Sequence, residues 1–376
     1  MKIIIGLFCL FFIILFHELG HFFAAKLFGV KVESFSIGIG PWYIHKKIRG
    51  TDLRLSLIPL GGYCGLKGEK DFSKALEQNL PYIEGEKDSM YGVHPLKRAL
   101  IAFAGPFFNI LLAWISFSII AITGYTYYSY SNQIRLADEV YPELQSAARK
   151  GGLISGDKIV EIDGKMVSNF SDIVESISVK PDEDITIIVE RNGEKINFTV
   201  HTDFDKKTSS GKIGITAFSD EVEKYESKTY SFFPALFQGV KETGKYIFLT
   251  FKGIASLFKG ADLSESISGP ARTADIMGQV LSSSFSESLK SGFVNLLNLL
   301  ALISISLGIM NLLPVPILDG GLIIFALIEF FSRRRISPKI LYYIQFVGLA
   351  FIGILFLIGL FGDVKYFLGN FRGLEK

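Results

Sequence analysis

The chain has 376 residues, 49% of them hydrophobic, 20% charged and 34 of them phenylalanine, with a mean hydropathy of +0.36. An apolar load of that size exceeds what one water-soluble core takes up, and it points to membrane-spanning segments. A formal net charge of +2 without a long basic block gives no basis for nucleic-acid binding, and two distant cysteines, Cys9 and Cys64, support neither a disulfide framework nor a cysteine-based metal site.

Residues at about 3–25 form an apolar stretch long enough to span a bilayer, and it carries His17-Glu18-Leu19-Gly20-His21. On a helix His17 and His21 stand one turn apart on one face, so both can aim an imidazole nitrogen at one Zn²⁺, with Glu18 beside them as a general base. Two plainer readings stay open at this point. A bare HExxH arises by chance in long chains, and Lys2, the apolar run and Ala24-Ala25 have the outline of a secretory signal peptide. Against both, ionisable groups at membrane depth are costly unless they line a polar cavity or bind an ion.

After this span the chain alternates at Val30–Ile39 and Leu53–Leu57 around Arg49-Gly50-Thr51-Asp52, which predicts a β-hairpin. Gly38, Gly40, Gly61 and Gly62 bracket it, either as turns or as places where another backbone approaches a strand edge. A second span is predicted at about 98–124. From 137 to 222 the composition becomes that of a small soluble domain. Ile185–Glu190 and Ile196–Val200 around Asn192-Gly193 predict a hairpin, and Ser171–Ile177 predicts a short helix capped by Ser171. The run from Ala147 to Gly164 resembles the PDZ domains of bacterial membrane and periplasmic proteases. That resemblance implies a peptide groove, with the Gly151-Gly152-Leu153 turn offering backbone N–H groups to a terminal carboxylate.

Residues Phe233 to Phe258 carry apolar side chains at helical spacing, with Lys245, Lys252 and Lys259 on the other side. A membrane-surface helix and a helix packed on the protein itself fit this pattern equally. Further spans are predicted at about 293–313 and 340–361, and the apolar chain between Gly292 and Phe331 is broken by Asn311, Pro314, Pro316, Asp319, Gly320 and Gly321. A lone carboxylate there needs a cation, a donor or water. Asp319 is therefore the candidate third ligand for a zinc held by His17 and His21, and capping of the helix that begins at Gly320 is the alternative role. Counting spans brings the C-terminal ends of the first and third to the same face. Arg333-Arg334-Arg335 and Lys339 make that face cytosolic by the positive-inside rule, with 137–222 on the opposite side.

HELGH, the run Ala104-Gly105-Pro106-Phe107-Phe108-Asn109, the PDZ-like insert and the run from Asn311 to Gly321 together resemble the bacterial site-2 protease family. These are intramembrane zinc metalloproteases of the regulator-of-sigma-E protease type, in peptidase family M50. The resemblance covers almost the whole chain, and Ser268-Gly269-Pro270 also resembles a family feature. It implies an α-helical polytopic membrane protein of about four transmembrane helices, with a membrane-associated β-hairpin and an inserted α+β PDZ domain. The expected parts are 1–136, 137–222, 223–262 and 263–376. It further implies His17, His21 and Asp319 as zinc ligands, Glu18 as the catalytic carboxylate, Asn311 and Asn109 holding substrate or active-site backbone, and Gly38 and Gly40 in a β-loop that receives substrate. An opened substrate segment is expected to pair with the edge of the Val30–Ile39 hairpin.

The implied cofactor is Zn²⁺. The implied partners are transmembrane protein substrates of anti-sigma-factor or remnant signal-peptide type, a peptide or C-terminus at the PDZ groove, and the lipid bilayer, with no nucleic acid. The implied location is the bacterial inner membrane, with the active site toward the cytosol. Many relatives in bacteria with an outer membrane carry two PDZ domains in tandem where this chain has room for one between Tyr125 and Tyr230, so their two-domain regulation does not transfer. Two other classes stay in view. A zinc or ion transporter would show internal repeats, and none is visible; a non-catalytic PDZ scaffold predicts that Glu18 is dispensable.

Overall fold

Four helices in the computed structural model are long and apolar enough to cross a membrane: Lys2–Phe28, Pro95–Thr123, Leu289–Asn311 and Pro338–Gly369. They cover the four predicted spans, with the ends of the first three shifted by a few residues and the fourth running on to Gly369. Phe346, Val347, Ile354, Leu357 and Phe361 on the fourth span are all more than half exposed. An apolar face of that extent is stable only when lipid covers it, so the chain is a membrane protein. The described residues are 2–205, 210–257 and 269–373, and the chain divides into two units. One comprises Met1–Thr123, Tyr230–Thr250 and Ile267–Lys376, the other Gly124–Thr229 and Phe251–Ser266.

In the first unit the first and third spans pack with the helix Pro270–Glu287 around Cys9, Ile13, Met277, Leu281 and Leu300, with Leu112 of the second span completing the core. Small residues bring these backbones together. A Cβ added at Gly6 would lie 1.9 Å from the Ala274 carbonyl oxygen, and one at Gly278 would lie 1.9 Å from that of Lys2. Close backbone approach of this kind is a common way for helices to associate in lipid, where apolar burial drives little.

The predicted hairpin is present and longer than its alternation suggested, with β1 at Val32–Ile48 and β2 at Thr51–Leu66. Both strands bend and pair twice. Ser34–Ile37 pairs on one side with Asp52–Leu55 and on the other with Gly62–Gly65, while Trp42–Ile48 pairs with Thr51–Ser56. This corrects the expectation that Val30–Ile39 offers an edge, because its central residues already have two neighbours. The outer rows of this sheet are Trp42–Ile48 and Gly62–Leu66.

The helix Phe232–Leu257 fills the predicted amphipathic segment, although Phe258 and Lys259 lie outside the described residues, as does Ser268. Its contact with the second span runs through small residues. Ala235 and Thr243 are buried, a Cβ on Gly239 would meet the Ser118 hydroxyl at 2.2 Å, and the Trp114 indole N–H donates to the Leu236 carbonyl at 3.0 Å. Phe233, Phe237, Val240 and Phe248 point away and are well exposed. The helix therefore packs on the second span through its small residues and leaves its bulky apolar stripe exposed.

The second unit holds a four-stranded antiparallel sheet ordered Lys165–Met166, Lys158–Ile162, Asp184–Arg191, Glu194–His201. Its last two strands join through Asn192 (φ 53°) and Gly193 (φ 85°), the pair of positive φ values that a two-residue hairpin turn of this twist requires. Ile159, Ile162, Ile173, Ile185, Ile187, Val189 and Val200 form its core. Two local expectations are corrected. The short helix begins at Phe170 and its cap is Asn169, whose side chain accepts from the Asp172 N–H at 3.0 Å, while the Ser171 hydroxyl pairs with Ser129. The Gly151, Gly152 and Leu153 N–H groups donate to the Ala147, Arg149 and Ala148 carbonyls as the C-terminal cap of the helix Ala147–Lys150, and Leu153 is buried. Those donors are spent inside the fold, so this turn does not offer them to a carboxylate.

One buried ion pair ties the first unit's helices together. Arg98, at the start of the second span, donates to Glu329 of the helix Asp319–Ser332, and the second Glu329 oxygen accepts the Ile336 N–H at 2.9 Å. Removing one partner of a buried pair leaves a charge without compensation and typically costs about 3–5 kcal/mol. Glu329→Ala is therefore expected to lower the unfolding free energy in detergent by roughly 3 kcal/mol, and the double change Arg98→Met, Glu329→Leu to recover most of it. A single-variant loss below about 1 kcal/mol would show that the pair is not a structural tie.

Candidate metal centre

The first span has 27 residues, about 40 Å of helix at about 1.5 Å per residue. His17 and His21 lie well inside it. Both side chains are largely buried, with 7% and 12% of their surface exposed, and Asp319 joins them at 13%. The carboxylate arrives because the chain breaks after Asn311. A Cβ on Gly320 would stand 2.3 Å from the Leu312 and Leu313 carbonyl oxygens, and one on Gly321 would stand 2.3 Å from that of Val315. The glycine pair lets residues 312–318 fold back over the start of the next helix, which begins at Asp319. No side chain caps that helix start, so the Asp319 carboxylate serves the histidines and not the helix.

Three side chains supply the donor atoms: His17 Nε2, His21 Nε2 and the Asp319 carboxylate. His17 Nε2 is 3.1 Å from His21 Nε2 and 3.1 Å from Asp319 Oδ2, and His21 Nε2 is 3.4 Å from Asp319 Oδ1. Ligands at about 2.0–2.1 Å in a tetrahedral zinc site are separated by about 3.3 Å, so the spacing of the donor atoms matches that of a zinc site. His21 Nδ1 donates to the Ile101 carbonyl at 2.8 Å, which fixes a proton there, so in the neutral ring the Nε2 lone pair faces the cluster. Among the described residues this is the one group of three His, Cys, Asp or Glu side chains placed to hold a metal.

Glu18 lies beside the cluster against β2. Its Oε2 accepts the Cys64 backbone N–H at 2.9 Å, and its Cγ is 4.0 Å from where a Gly62 Cβ would stand. Its other oxygen has no hydrogen-bond partner among the described residues. The Asn311 amide nitrogen is 3.5 Å from His17 Nε2, a contact at the rim and too long for a firm hydrogen bond. Asn109 is fully buried, with its amide nitrogen 3.0 Å from His17 Nδ1, on the side away from the cluster. That burial removes it from reach of a substrate and corrects its expected role there. Gly38 and Gly40 have φ near 90° in β1, where the strand changes partner; neither contacts the three donors in any described interaction.

Three contributors carried no side-chain signal in the sequence. Cys64 and Ile101 act through backbone groups. Gly105 acts by lacking a side chain: a Cβ there would lie 2.4 Å from His21 Nε2 and 2.7 Å from His17 Cε1. The Ala104-Gly105-Pro106 run marked this stretch of the second span, but only the packing shows that its glycine makes room for both imidazoles.

Comparison with known proteins meets this geometry independently. A profile of peptidase family M50 matches residues 5–355. A relative from Treponema pallidum named as a zinc metalloprotease is 35% identical, covering 97% of this chain and 99% of its own length. Relatives of the same naming from Campylobacter jejuni and Rhizobium meliloti are 35% and 30% identical over 96% of this chain. Likeness at that level over nearly the full length decides among protease, transporter and scaffold: the chain belongs to peptidase family M50 and is a membrane-embedded zinc metalloprotease.

Proposed function

We propose that the protein is an intramembrane endopeptidase of the bacterial inner membrane that carries out regulated intramembrane proteolysis. Its substrates in this reading are membrane proteins of anti-sigma-factor or remnant signal-peptide type, cut in or near a transmembrane segment. The observation that carries the reading is the convergence of His17, His21 and Asp319 within the length of a membrane span, where an ordinary soluble substrate has no access. These three residues are the zinc ligands. A zinc ion held by them would supply a Lewis acid for the scissile carbonyl and lower the pKa of a bound water to near neutral.

Glu18 accepts a proton from the attacking water and returns it to the departing amine. The Cys64 N–H holds one of its oxygens and leaves the other free for that transfer. A substrate helix hides its peptide bonds in internal hydrogen bonds and has to open before it is cut. The outer row Gly62–Leu66 runs beside Glu18, so an opened segment that pairs with it regains backbone hydrogen bonds next to the general base. Asn311 at the rim holds substrate backbone, and Gly38 and Gly40 allow the β-loop to bend around it. Residues 137–222 act as a PDZ-type module that selects substrates by strand addition or by size, on the extracytoplasmic side, with the Arg333–Lys339 loop in the cytosol.

Two measurements test this. With a transmembrane reporter in proteoliposomes, cut sites located by mass spectrometry are expected inside or at the edge of the apolar segment; cuts confined to soluble loops would replace the reading by a surface protease. Single-cysteine variants at Asp220 and Ser332, probed in intact cells with a membrane-impermeant reagent, are expected to label at 220 only. Equal labelling at both would end the proposed sidedness.

A further inference from the structure

Asn109 has one feature that the catalytic scheme leaves unexplained. Its side-chain carbonyl oxygen Oδ1 is buried and has no hydrogen-bond partner, although the residue is fully enclosed. An unpaired buried amide oxygen is costly, and a structure rarely keeps one without cause. The amide nitrogen meanwhile faces His17 Nδ1 at 3.0 Å. With the amide in that sense, Nδ1 has to accept, so His17 carries its proton on Nε2, where it can point only at Asp319 or His21. That tautomer suits a metal-free pair and is incompatible with zinc, which takes the Nε2 lone pair.

Turning the amide by half a turn exchanges its two ends, which occupy nearly the same volume. Oδ1 then accepts from His17 Nδ1–H and Nε2 becomes bare, while the amide NH2 moves to the place where Oδ1 had no partner. His17 then matches His21, whose Nδ1–H is already fixed by the Ile101 carbonyl. We propose that Asn109 is a positioning residue that gives its carbonyl oxygen to His17 Nδ1–H and so locks His17 in its metal-binding tautomer. The inference rests on the reading of His17 as a zinc ligand.

The surroundings hold Asn109 for this task. The Ser304 hydroxyl donates to the Asn109 backbone carbonyl at 2.9 Å, and one turn further along the third span the bare Gly308 lets Asn109 fit, since a Cβ there would stand 3.1 Å from its own. The third span thus braces the second at the residue behind the ligand. Outer partners that accept from the far nitrogen of a ligating histidine typically account for 10–100-fold in metal affinity.

The test is zinc affinity of the purified full-length protein by chelator competition, for the parent and for Asn109→Leu and Asn109→Asp. Leucine removes the acceptor at similar volume and is expected to weaken zinc binding 10–100-fold. Aspartate keeps an acceptor and has no amide N–H, so it is expected to bind zinc at least as tightly as the parent. Asn109→Ala replaces the leucine variant if that one does not accumulate. Nitrogen-15 spectra of the zinc-loaded parent, with only five histidines in the chain, are expected to show His17 protonated at Nδ1. A leucine or alanine variant with parental affinity, or an aspartate variant as weak as leucine, overturns the proposal. Failure of the underlying zinc reading looks different: the parent itself would hold no stoichiometric zinc.

Discussion

Glu18→Gln is expected to reduce cleavage of a transmembrane reporter by about 10²–10⁴-fold while zinc content stays at one ion per chain. Glutamine has nearly the shape of glutamate, and its carbonyl oxygen can still accept the Cys64 N–H that pins Glu18 to β2. What it loses is the ability to take a proton from water and hand it to the leaving amine. Because the three donor side chains do not include Glu18, metal binding is expected to be unaffected. His17→Ala and Asp319→Asn are expected to differ in kind, with zinc lost along with activity. The assay pairs metal analysis with reporter cleavage on the same preparation. Parental turnover by the Glu18 variant would sink the assignment of the general base, and zinc loss in that variant would mean that Glu18 belongs to the ligand set.

The parts of the fold that could be read from the sequence are those whose signal is local. Spans announce themselves by apolar length, and the ends of the first three agree with it to within a few residues, whereas the fourth helix runs on to Gly369. Asn192-Gly193 named its turn because few other residue pairs tolerate two successive positive φ values. The candidate site was legible for a related reason: histidines four apart and a solitary Asp319 in an apolar run are chemical anomalies, and each anomaly needed the other. What stayed hidden is set by pairing across the chain. Alternation at Val30–Ile39 reports a strand and not how many neighbours it has, so the double pairing of Ser34–Ile37 left no trace in composition. Backbone donors and acceptors are present at every residue, so nothing marked the Cys64 N–H or the Ile101 carbonyl as special. The Gly151-Gly152-Leu153 turn failed for the opposite reason. Its glycines suggest an open cradle, whereas the end of a short helix claims their N–H groups. The same competition decided between Ser171 and Asn169 as a cap, because the Ser171 hydroxyl had a nearer partner in Ser129.

The smallest substitution with a large expected effect is Gly105→Ala, which adds one methyl group behind the metal centre. That Cβ would lie 2.4 Å from His21 Nε2, 2.6 Å from His21 Cε1 and 2.7 Å from His17 Cε1, about 1 Å inside the 3.4 Å where ordinary contact begins. Neither ring can swing aside freely, since His21 is held by the Ile101 carbonyl and His17 lies against Asn109. The first span cannot easily recede either. It meets the second at Gly20, where an added Cβ would already stand 2.2 Å from the Ala104 carbonyl oxygen. Close-packed interiors resist such shifts, and a displacement of about 1 Å at a reacting centre can cost about 10²-fold in rate. Gly105→Ala is therefore expected to lower reporter cleavage by about 10²-fold or more and to weaken zinc binding at least tenfold, with helicity by circular dichroism unchanged. Gly353→Ala on the fourth span is the matched control. It has nothing within 4 Å of the new methyl group, so it should keep zinc and activity and gain up to about 1 kcal/mol of stability from helix propensity. If Gly105→Ala holds zinc and cleaves like its parent, the two imidazoles are free to move apart and the packing of the second span does not define the metal centre.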